Sequence, residues 1–404
     1  MEQNRKVPVL CGKNVCTACS ACYSVCHRKA IKMVEDEYGE LYPQVDNNLC
    51  VGCGVCERVC PELNETKVNR NGKPKIYACW MKDGKRRAQS TSGGAAFVIS
   101  AHVISKGGHV WGAAYGENMS LCYTEANTIR ELEAIQKSKY LQCYVGDAFA
   151  KIKNELDNGE LVLFVGMGCH VKGLRSFLKK DYDNLLTADL VCHGVPGQGV
   201  FRRYKEWLET KYKDTMVGYI PRPKRCDGHE AGYYSLAQFA TRGEVKLERG
   251  DNSYFVGFQH NLFLRGTCYH CHANGEERYS DFTLADFWGL GKVAPFGQYK
   301  QRTLGISMLA LNSGKAMDLF DEFKDDMVYE ERSYKEASFS NTQYYKSAIP
   351  SPIRDEFRKD WLLMTWDELA QKYMAFSTKE YILYGIKKFT PPICYYMLNY
   401  WRNG

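Results

Sequence analysis

Short apolar runs and segments with helical periodicity alternate along the chain from residue 75 onwards. Apolar runs of strand length, each bounded by turn residues, predict buried strands at 75–80, 109–115, 161–165, 185–191 and 307–312. Apolar residues at helical spacing predict helices at 97–104, 128–137, 148–158, 171–177, 199–212 and 315–324. Strands that alternate with helices indicate an α/β layer architecture for this part of the chain.

The two ends of the chain have different patterns. Residues 30–35 and 39–46 alternate apolar and polar positions, which predicts a short β-hairpin near the N-terminus. Residues 64–75 are polar and rich in turn formers, as expected of a linker. An amphipathic helix is predicted at 354–373, and a tail at 381–401 is rich in aromatic residues. These changes divide the chain into three regions, 1–66, 75–335 and 336–404.

The aromatic tail allows two interpretations. Helical packing on the preceding domain or on a second subunit is preferred, and contact with a membrane interface is the alternative. No part of the sequence approaches about eighteen consecutive apolar residues, so we expect no membrane-spanning segment.

Cysteines dominate the first region. The spacing Cys-x2-Cys-x2-Cys-x3-Cys occurs twice, and its members are Cys16, Cys19, Cys22, Cys26, Cys50, Cys53, Cys56 and Cys60. This doubled run is typical of two-cluster ferredoxins, in which the fourth cysteine of each run binds the other cluster. We therefore predict one [4Fe–4S] cluster on Cys16, Cys19, Cys22 and Cys60, and a second on Cys50, Cys53, Cys56 and Cys26. Cys11 lies outside the spacing and is interpreted as a free structural thiol.

Zinc and disulfides explain these cysteines less well. A zinc site needs four ligands and would leave half of the eight cysteines without a role. Disulfides are typical of small secreted domains, whereas this sequence begins without an apolar leader. The 18 cysteines of the chain instead favour a reducing, cytoplasmic location with many thiolates committed to metal.

The formal charge of +7 does not predict nucleic-acid binding. Each oxidised cubane with its four thiolates carries about two negative charges. The two predicted clusters, together with a third on cysteines of the α/β region, would therefore nearly neutralise the protein. No basic run is long enough to require a nucleic-acid partner.

A third group of cysteines lies in the α/β region. Two predicted strands end next to Cys169 and Cys192, and open α/β sheets place ligands at the carboxyl ends of their strands. A single Cys-x2-Cys pair, Cys268 and Cys271, follows later and needs two further ligands. We predict a third [4Fe–4S] cluster on these four residues, with zinc or free thiols as alternatives that the spacing leaves open.

Two other features suggest a bound cofactor. Gly93 and Gly94 precede a predicted helix, where backbone N–H groups can approach a phosphate or a flat cofactor; a plain turn is the alternative. His170 and His193 follow Cys169 and Cys192 directly. Either histidine can donate a proton or a hydrogen bond to a cofactor, although an ordinary histidine beside a cluster is preferred for both.

The complete set of motifs resembles the beta-subunit family of the coenzyme F420 (deazaflavin) hydrogenases and dehydrogenases. The motifs in order are the two-cluster run, Ser92-Gly93-Gly94, Ser138-Lys139-Tyr140, Gly166-Met167-Gly168-Cys169, Leu190-Val191-Cys192-His193-Gly194, Cys268-x2-Cys271 and Ser280–Gly289. The resemblance implies FAD in the α/β domain beside the third cluster, with Ser92, Gly93, Gly94, Lys139 and Tyr140 on the flavin side. The predicted fold is thus an α+β ferredoxin-like domain (1–66), an α/β flavin- and cluster-binding domain (75–335) and a helical extension (336–404).

The predicted function is that of an iron–sulfur flavoprotein oxidoreductase. Electrons would pass from the ferredoxin-type clusters through the third cluster to FAD, which reduces or oxidises an organic substrate or the deazaflavin. The alternative is a non-catalytic electron-transfer subunit that docks on a partner enzyme. The expected partners are an electron donor or acceptor protein and a small molecule, together with a second copy of the chain, and no catalytic acid is assigned.

Overall fold

The computed structural model describes residues 7–66, 68, 72–224, 234–302 and 304–375. The N-terminal part contains two short helices and a hairpin, in the order α1 (Ala21–Val25), β1 (Ile31–Glu35), β2 (Leu41–Val45) and α2 (Val55–Arg58). The two strands pair antiparallel with Met33 opposite Pro43, which confirms the predicted hairpin.

The rest of the described chain builds one large sheet, one small sheet and the helices around them. Its elements in chain order are β3 (Lys75–Met81), α3 (Gly84–Gln89), α4 (Ala95–Ser105), β4 (His109–Tyr115), β5 (Leu121–Ala126), α5 (Ile129–Ile135), α6 (Ala148–Asp157), β6 (Val162–Met167), α7 (Gly168–Leu178), β7 (Leu185–Leu190), α8 (Gln198–Tyr212), β8 (Met216–Ile220), β9 (Ser235–Phe239), β10 (Gly243–Leu247), α9 (Ser253–Gln259), β11 (Phe282–Asp286), α10 (Tyr299–Arg302), β12 (Ser307–Leu311), α11 (Gly314–Phe323), β13 (Met327–Arg332), α12 (Tyr334–Phe339), α13 (Arg354–Asp360) and α14 (Trp366–Tyr373).

The large sheet is mixed, with strand order β13-β3-β12-β11-β7-β6-β4-β5. Strands β4, β6, β7 and β11 run parallel in its centre. The alternation of strands and helices predicted β4, β6 and β7, whereas β11 was not predicted. Both sides of this centre are antiparallel. Between β4 and β5 only residues 116–120 intervene, and a connection of that length can join antiparallel strands but cannot make a helical crossover. The small sheet has the antiparallel order β10-β9-β8.

Helices cover both faces of the large sheet. On the central strand β6, Val162 and Phe164 pack into the core that includes α6 and α7, whereas Leu163 packs into the core that includes α4 and α11. All three side chains are fully buried. Burial on both faces is the reason why this strand is a continuous apolar run rather than an alternating one.

The predicted helix at 354–373 is two helices in the structure. The break occurs at Trp361, whose ring packs 5.9 Å from that of Tyr38 and whose Nε1–H donates to the carbonyl of Glu37 (2.9 Å). Thr365 then caps α14 in a reciprocal capping box with Glu368. The aromatic tail and its membrane alternative lie outside the described residues. Within the described residues, no helix is long and apolar enough to cross a membrane.

Candidate functional site

The structure groups the eight N-terminal cysteines into two sets of four, in the crossed arrangement that the spacing predicts. Cys16, Cys19, Cys22 and Cys60 line one small cavity, which we call the first thiol set. Cys26, Cys50, Cys53 and Cys56 line another, which we call the second thiol set. The hairpin covers both cavities, because Ile31 faces the second and Met33 the first.

Backbone N–H groups point at the sulfur atoms of both sets. The Ala18 N–H lies 3.4 Å from Cys16 Sγ, and the Ala30 N–H lies 3.3 Å from Cys26 Sγ. The Gly52 N–H approaches Cys50 Sγ at 3.4 Å. N–H donors of this kind stabilise negative charge on sulfur, and hydrogen bonds to the sulfurs are one of the factors that set cluster potentials.

Cys169, Cys192, Cys268 and Cys271 form the third thiol set. A Cβ on Gly168, next to Cys169, would lie 3.1 Å from the Cβ of Ala273, two residues after Cys271, so these segments pack together. Burial raises the pKa of Cys169, and the thiols of Cys271, Cys192 and Cys268 raise it further. The four residues come from the first turn of α7, from the loop after β7, and from the short 3₁₀ turn at Gly266–His270 with the residue that follows it. The set is therefore assembled from three segments that span residues 169–271.

Backbone geometry around the third set is also adapted to sulfur. N–H groups of Gly194, Val195 and Ala273 lie 3.4–3.5 Å from the sulfur atoms of Cys192, Cys268 and Cys271, respectively. Gly194 has φ +118°, and a Cβ there would lie 3.1 Å from Cys268 Cβ and 2.8 Å from the side chain of Leu264. A glycine is needed at this position for both reasons.

The first and third sets meet at helix α7. A Cβ on Gly173 would lie 2.5 Å from the Cβ of Cys19 and 2.8 Å from its Sγ, so the N-terminal domain presses directly against this helix. Gly173 is one helical turn after Cys169. The contact between Cys19 and Gly173 therefore brings the first thiol set to within one helical turn of Cys169, a member of the third set.

A buried arginine fastens the two parts of the chain together. Arg265 is 1% exposed and donates to the carbonyls of Cys16 (3.0 Å) and Leu41 (3.2 Å) and to Oε1 of Gln142 (2.9 Å). Lys172 on α7 adds an ion pair with Glu62 (3.3 Å), in which both side chains are buried. These contacts fix the first thiol set on the α/β domain.

A cavity of about 580 Å³ opens at the carboxyl ends of β6, β7 and β11, next to the start of α4. Its volume lies within the range of roughly 300–1,000 Å³ that cofactor and ligand pockets have. Four of the residues predicted on the flavin side, Ser92, Gly94, Lys139 and Tyr140, line it together with the candidate cofactor residue His193. Cys192 of the third thiol set also lines it.

Two predicted cofactor residues are not in the lining. Gly93 packs against the backbone of the sheet instead, where a Cβ would lie 2.4 Å from the Cys79 carbonyl oxygen. His170 is completely buried on α7, with Nδ1 3.0 Å from the hydroxyl of Tyr123, which does line the cavity. Burial lowers the pKa of His170 to about 3, so this imidazole is neutral at physiological pH.

The N-terminus of α4 faces the cavity. Gly94 precedes the helix with φ +92° and has no side chain to cap the first turn. Ala95 and Ala96 line the cavity, and the Ala95 N–H donates to Ser307 Oγ (3.5 Å). A helix N-terminus of this kind favours an anionic group such as a phosphate.

An aromatic wall stands on another side of the cavity. The Tyr140 ring stacks on Phe258 with a centroid separation of 4.6 Å and an interplanar angle of 9°, and Phe255 lies 6.0 Å from it. His193 packs 5.1 Å from Phe258, and its Nε2 lies 2.5 Å from Oδ1 of Asn261. Burial lowers the pKa of Lys139 to about 8.

Several residues of the cavity were not found by sequence reasoning. Arg222 and Asp286 pair at its edge, and the Arg222 guanidinium lies 5.1 Å from the Trp288 ring. Phe255 and Phe258 belong to α9, which the sequence analysis did not predict. The Ser280–Gly289 motif was a usable signal for Asp286, because a polar residue after a buried strand lies at the sheet edge where ligands bind.

Comparison with known proteins agrees with this architecture. Residues 159–337 match the family described as the C terminus of the coenzyme F420 hydrogenase/dehydrogenase beta subunit. The predicted resemblance to that beta-subunit family is confirmed for these residues. Residues 15–63 match the 4Fe–4S dicluster domain, which contains both N-terminal thiol sets, and the family match contains the third. The prediction of an iron–sulfur protein of this oxidoreductase family is confirmed.

Two individual relatives add detail. Ketoisovalerate oxidoreductase subunit VorC of Methanothermobacter marburgensis is 38% identical over 56 residues, which are 13% of this chain and 71% of that protein. The F420-reducing [NiFe] hydrogenase complex from Methanosarcina barkeri contains a chain with 12% identity and a TM-score of 0.42, and the alignment covers 80% of this chain and 97% of that one.

Proposed function

We propose that this protein is an iron–sulfur flavoprotein oxidoreductase that connects three [4Fe–4S] clusters to FAD, with an organic substrate or the deazaflavin as its small-molecule partner. The observation that carries the proposal is the position of Cys192. This residue belongs to the third thiol set and also lines the large cavity. A cluster on that set would border the place where a flavin binds.

The thiol sets fit cubanes. The first and second sets each place their four cysteines around a small cavity, and the third set brings four cysteines close together. Four is the ligand number that a [4Fe–4S] cluster requires. The three sets follow one another from the surface to the cavity. The second set includes Cys53, which is exposed. The first set contacts α7 through Cys19, and the third set borders the cavity.

The cavity fits a flavin with a phosphate-containing tail. The α4 N-terminus favours the phosphates, and the Tyr140 wall offers apolar contact to a flat ring. Bound clusters would supply one-electron transfer, and a flavin would exchange two electrons with the substrate. The protein's own contribution is to bind and orient these groups and to exclude water.

The surroundings of His193 and Lys139, two titratable residues of the cavity, determine their protonation states. Asn261 donates from Nδ2 to the Ile349 carbonyl (2.9 Å), so its Oδ1 faces His193 and requires a proton on His193 Nε2. Burial lowers the pKa of His193, so it is a neutral hydrogen-bonding group at pH 7. Lys139, with a pKa of about 8, remains mostly charged and can hold an anionic part of the cofactor.

A non-catalytic electron-transfer subunit is the second candidate. It is favoured by the comparisons, since the name of VorC and the description of the matched family both denote one subunit of a larger oxidoreductase. Under this alternative the chain would carry clusters and deliver electrons to a partner enzyme without using a flavin of its own.

Anaerobic purification with measurement of iron, sulfide and released flavin separates the two functions. About twelve irons and one FAD per chain support the proposed oxidoreductase. Clusters without flavin, after purification and after incubation with FAD, would support the relay. In the C192A variant we expect about eight irons, whereas C143A, which removes a cavity-lining thiol outside the three sets, should keep about twelve.

A further inference from the structure

We propose that Cys11 is a reserve ligand of the first cluster and can take the place of Cys60. This inference rests on the proposed clusters but concerns a fifth thiol, which the two-cluster spacing does not include. Cys11 lines the same cavity as Cys16, Cys19, Cys22 and Cys60. A cubane needs four thiolates, and this cavity offers five thiols.

Cys60 and Cys16 are the neighbours of Cys11 within the set. The Cys11 Sγ lies 3.7 Å from the Sγ of Cys60, a distance at which the two sulfur atoms are in contact. The Cys16 thiol also interacts with Cys11. The exchange requires a rotation of the Cys11 side chain that brings its Sγ to the position of Cys60 Sγ.

The backbone holds Cys11 at this position from both sides. The N–H of Val9 donates to Oε1 of Glu57 (2.7 Å), which belongs to the helix between Cys56 and Cys60. On the other side, the N–H groups of Val15 and Cys16 donate to the Gly12 carbonyl in a tight turn (3.0 and 2.9 Å). Thr267 then fixes the Val15 carbonyl at 3.0 Å. Cys11 is therefore presented to the cavity by a pinned segment rather than by a free end.

The same segment crosses both N-terminal cavities. Pro8 lines the cavity of the second thiol set, and Leu10 and Cys11 line that of the first. Pro8 and Leu10 supply apolar contacts to these cavities, whereas the thiol of Cys11 adds a group that can bind iron once it is deprotonated.

The exchange is balanced without an oxidant. The bond between iron and Cys60 Sγ breaks, a bond between the same iron and Cys11 Sγ forms, and the proton of the Cys11 thiol passes to the Cys60 thiolate. Neither sulfur nor iron changes its oxidation state. Loss or chemical modification of Cys60 would then leave the cluster with four thiolate ligands.

The test uses the full chain with its clusters, in the variants C60A, C22A, C11A and C11A/C60A. C60A and C11A should each keep about twelve irons, whereas the double variant should lose about four or convert one cubane to a three-iron cluster visible by electron paramagnetic resonance. C22A is the matched control, because it removes a ligand of the same set that is not the contact partner of Cys11. This variant should lose the cluster although Cys11 is present.

Thiol labelling supplies a readout that does not depend on iron content. In the anaerobic wild-type protein an alkylating reagent should label Cys11 and spare Cys60, and in C60A it should spare Cys11. Equal cluster loss in C60A and C22A, or labelling of Cys11 in C60A, would overturn the reserve-ligand role. If C60A is insoluble, C60G, which likewise has no side chain that can bind iron, takes its place with the same expected outcomes. A wild-type protein without the dicluster irons would instead contradict the proposed function itself.

Discussion

Cys19 and Gly173 form a tight contact between the N-terminal domain and helix α7. The absence of a side chain at Gly173 is what lets the first thiol set lie one helical turn from Cys169 of the third. A methyl group at this position would overlap Cys19 Cβ and Sγ. Since short separations favour electron transfer, this glycine links the packing of the two domains to the proposed relay.

The G173A variant tests that contact. Replacing a helix-interior glycine by alanine ordinarily stabilises a protein by about 0.5–1 kcal/mol, but here the overlap with Cys19 should reverse the sign and cost about 1–3 kcal/mol. We expect a lower thermal midpoint, measured anaerobically by circular dichroism. G314A is the control, because Gly314 is the first residue of a helix and a Cβ there would meet nothing within 4 Å. An equal midpoint in G173A and the wild type would contradict the predicted overlap.

Arg265 should be essential for docking the two domains. The R265M variant leaves the carbonyls of Cys16 and Leu41 and the Gln142 side chain without their buried donor, at a cost of about 3–5 kcal/mol. Chemical denaturation should show a lower midpoint or a separate transition for the N-terminal domain. R242M, at an exposed arginine on the small sheet's turn, is the control and should change the midpoint little.

Flavin retention should depend on the start of α4. In G94A the residue has φ +92°, and its Cβ would lie 2.7 Å from Met81 Sδ, so the turn that presents the helix N-terminus must move. We expect the FAD content per chain to fall severalfold while the iron content stays near twelve. G107A is the control. Gly107 follows the other end of the same helix with a similar positive φ (+75°), and a Cβ there would meet nothing within 4 Å. This variant therefore introduces backbone strain without changing the cavity. Normal flavin content in G94A would argue against this helix as the phosphate site.

The stability of the protein should depend on pH through His109. Burial disfavours the charged imidazole, but the hydrogen bond with Glu125 (2.6 Å) and the charges of Glu155 and Glu160 outweigh it, so the pKa of His109 is raised. A raised pKa in the folded state stabilises the protein below the unfolded value of about 6.5, and this contribution is lost as the pH rises through the folded value. The thermal midpoint of H109Q should therefore fall further below that of the wild type at about pH 6 than at about pH 8. V217A, at an exposed residue whose side chain does not titrate, is the control and should show no such pH-dependent difference.

Local patterns account for most of the elements and for the thiol sets. Three of the four parallel strands, β4, β6 and β7, follow from apolar runs, whereas β11 was not predicted. The crossed grouping of the eight N-terminal cysteines follows from their doubled spacing. The third set was predicted from strand ends, because the carboxyl ends of parallel strands share one edge of the sheet. These inferences succeed because each uses a pattern with a known spatial arrangement.

Other features depend on contacts between distant segments, and only the tertiary structure decided them. Gly93 turns toward the sheet backbone and Gly94 toward the cavity, although both belong to one motif. Cys11 stands outside the cysteine spacing but shares a cavity with Cys60, which is 49 residues away. The pairing of Arg222 with Asp286 likewise has no local signal. Hydrophobic periodicity specifies which face of an element is buried, whereas the partner of that face is chosen by packing across the whole fold.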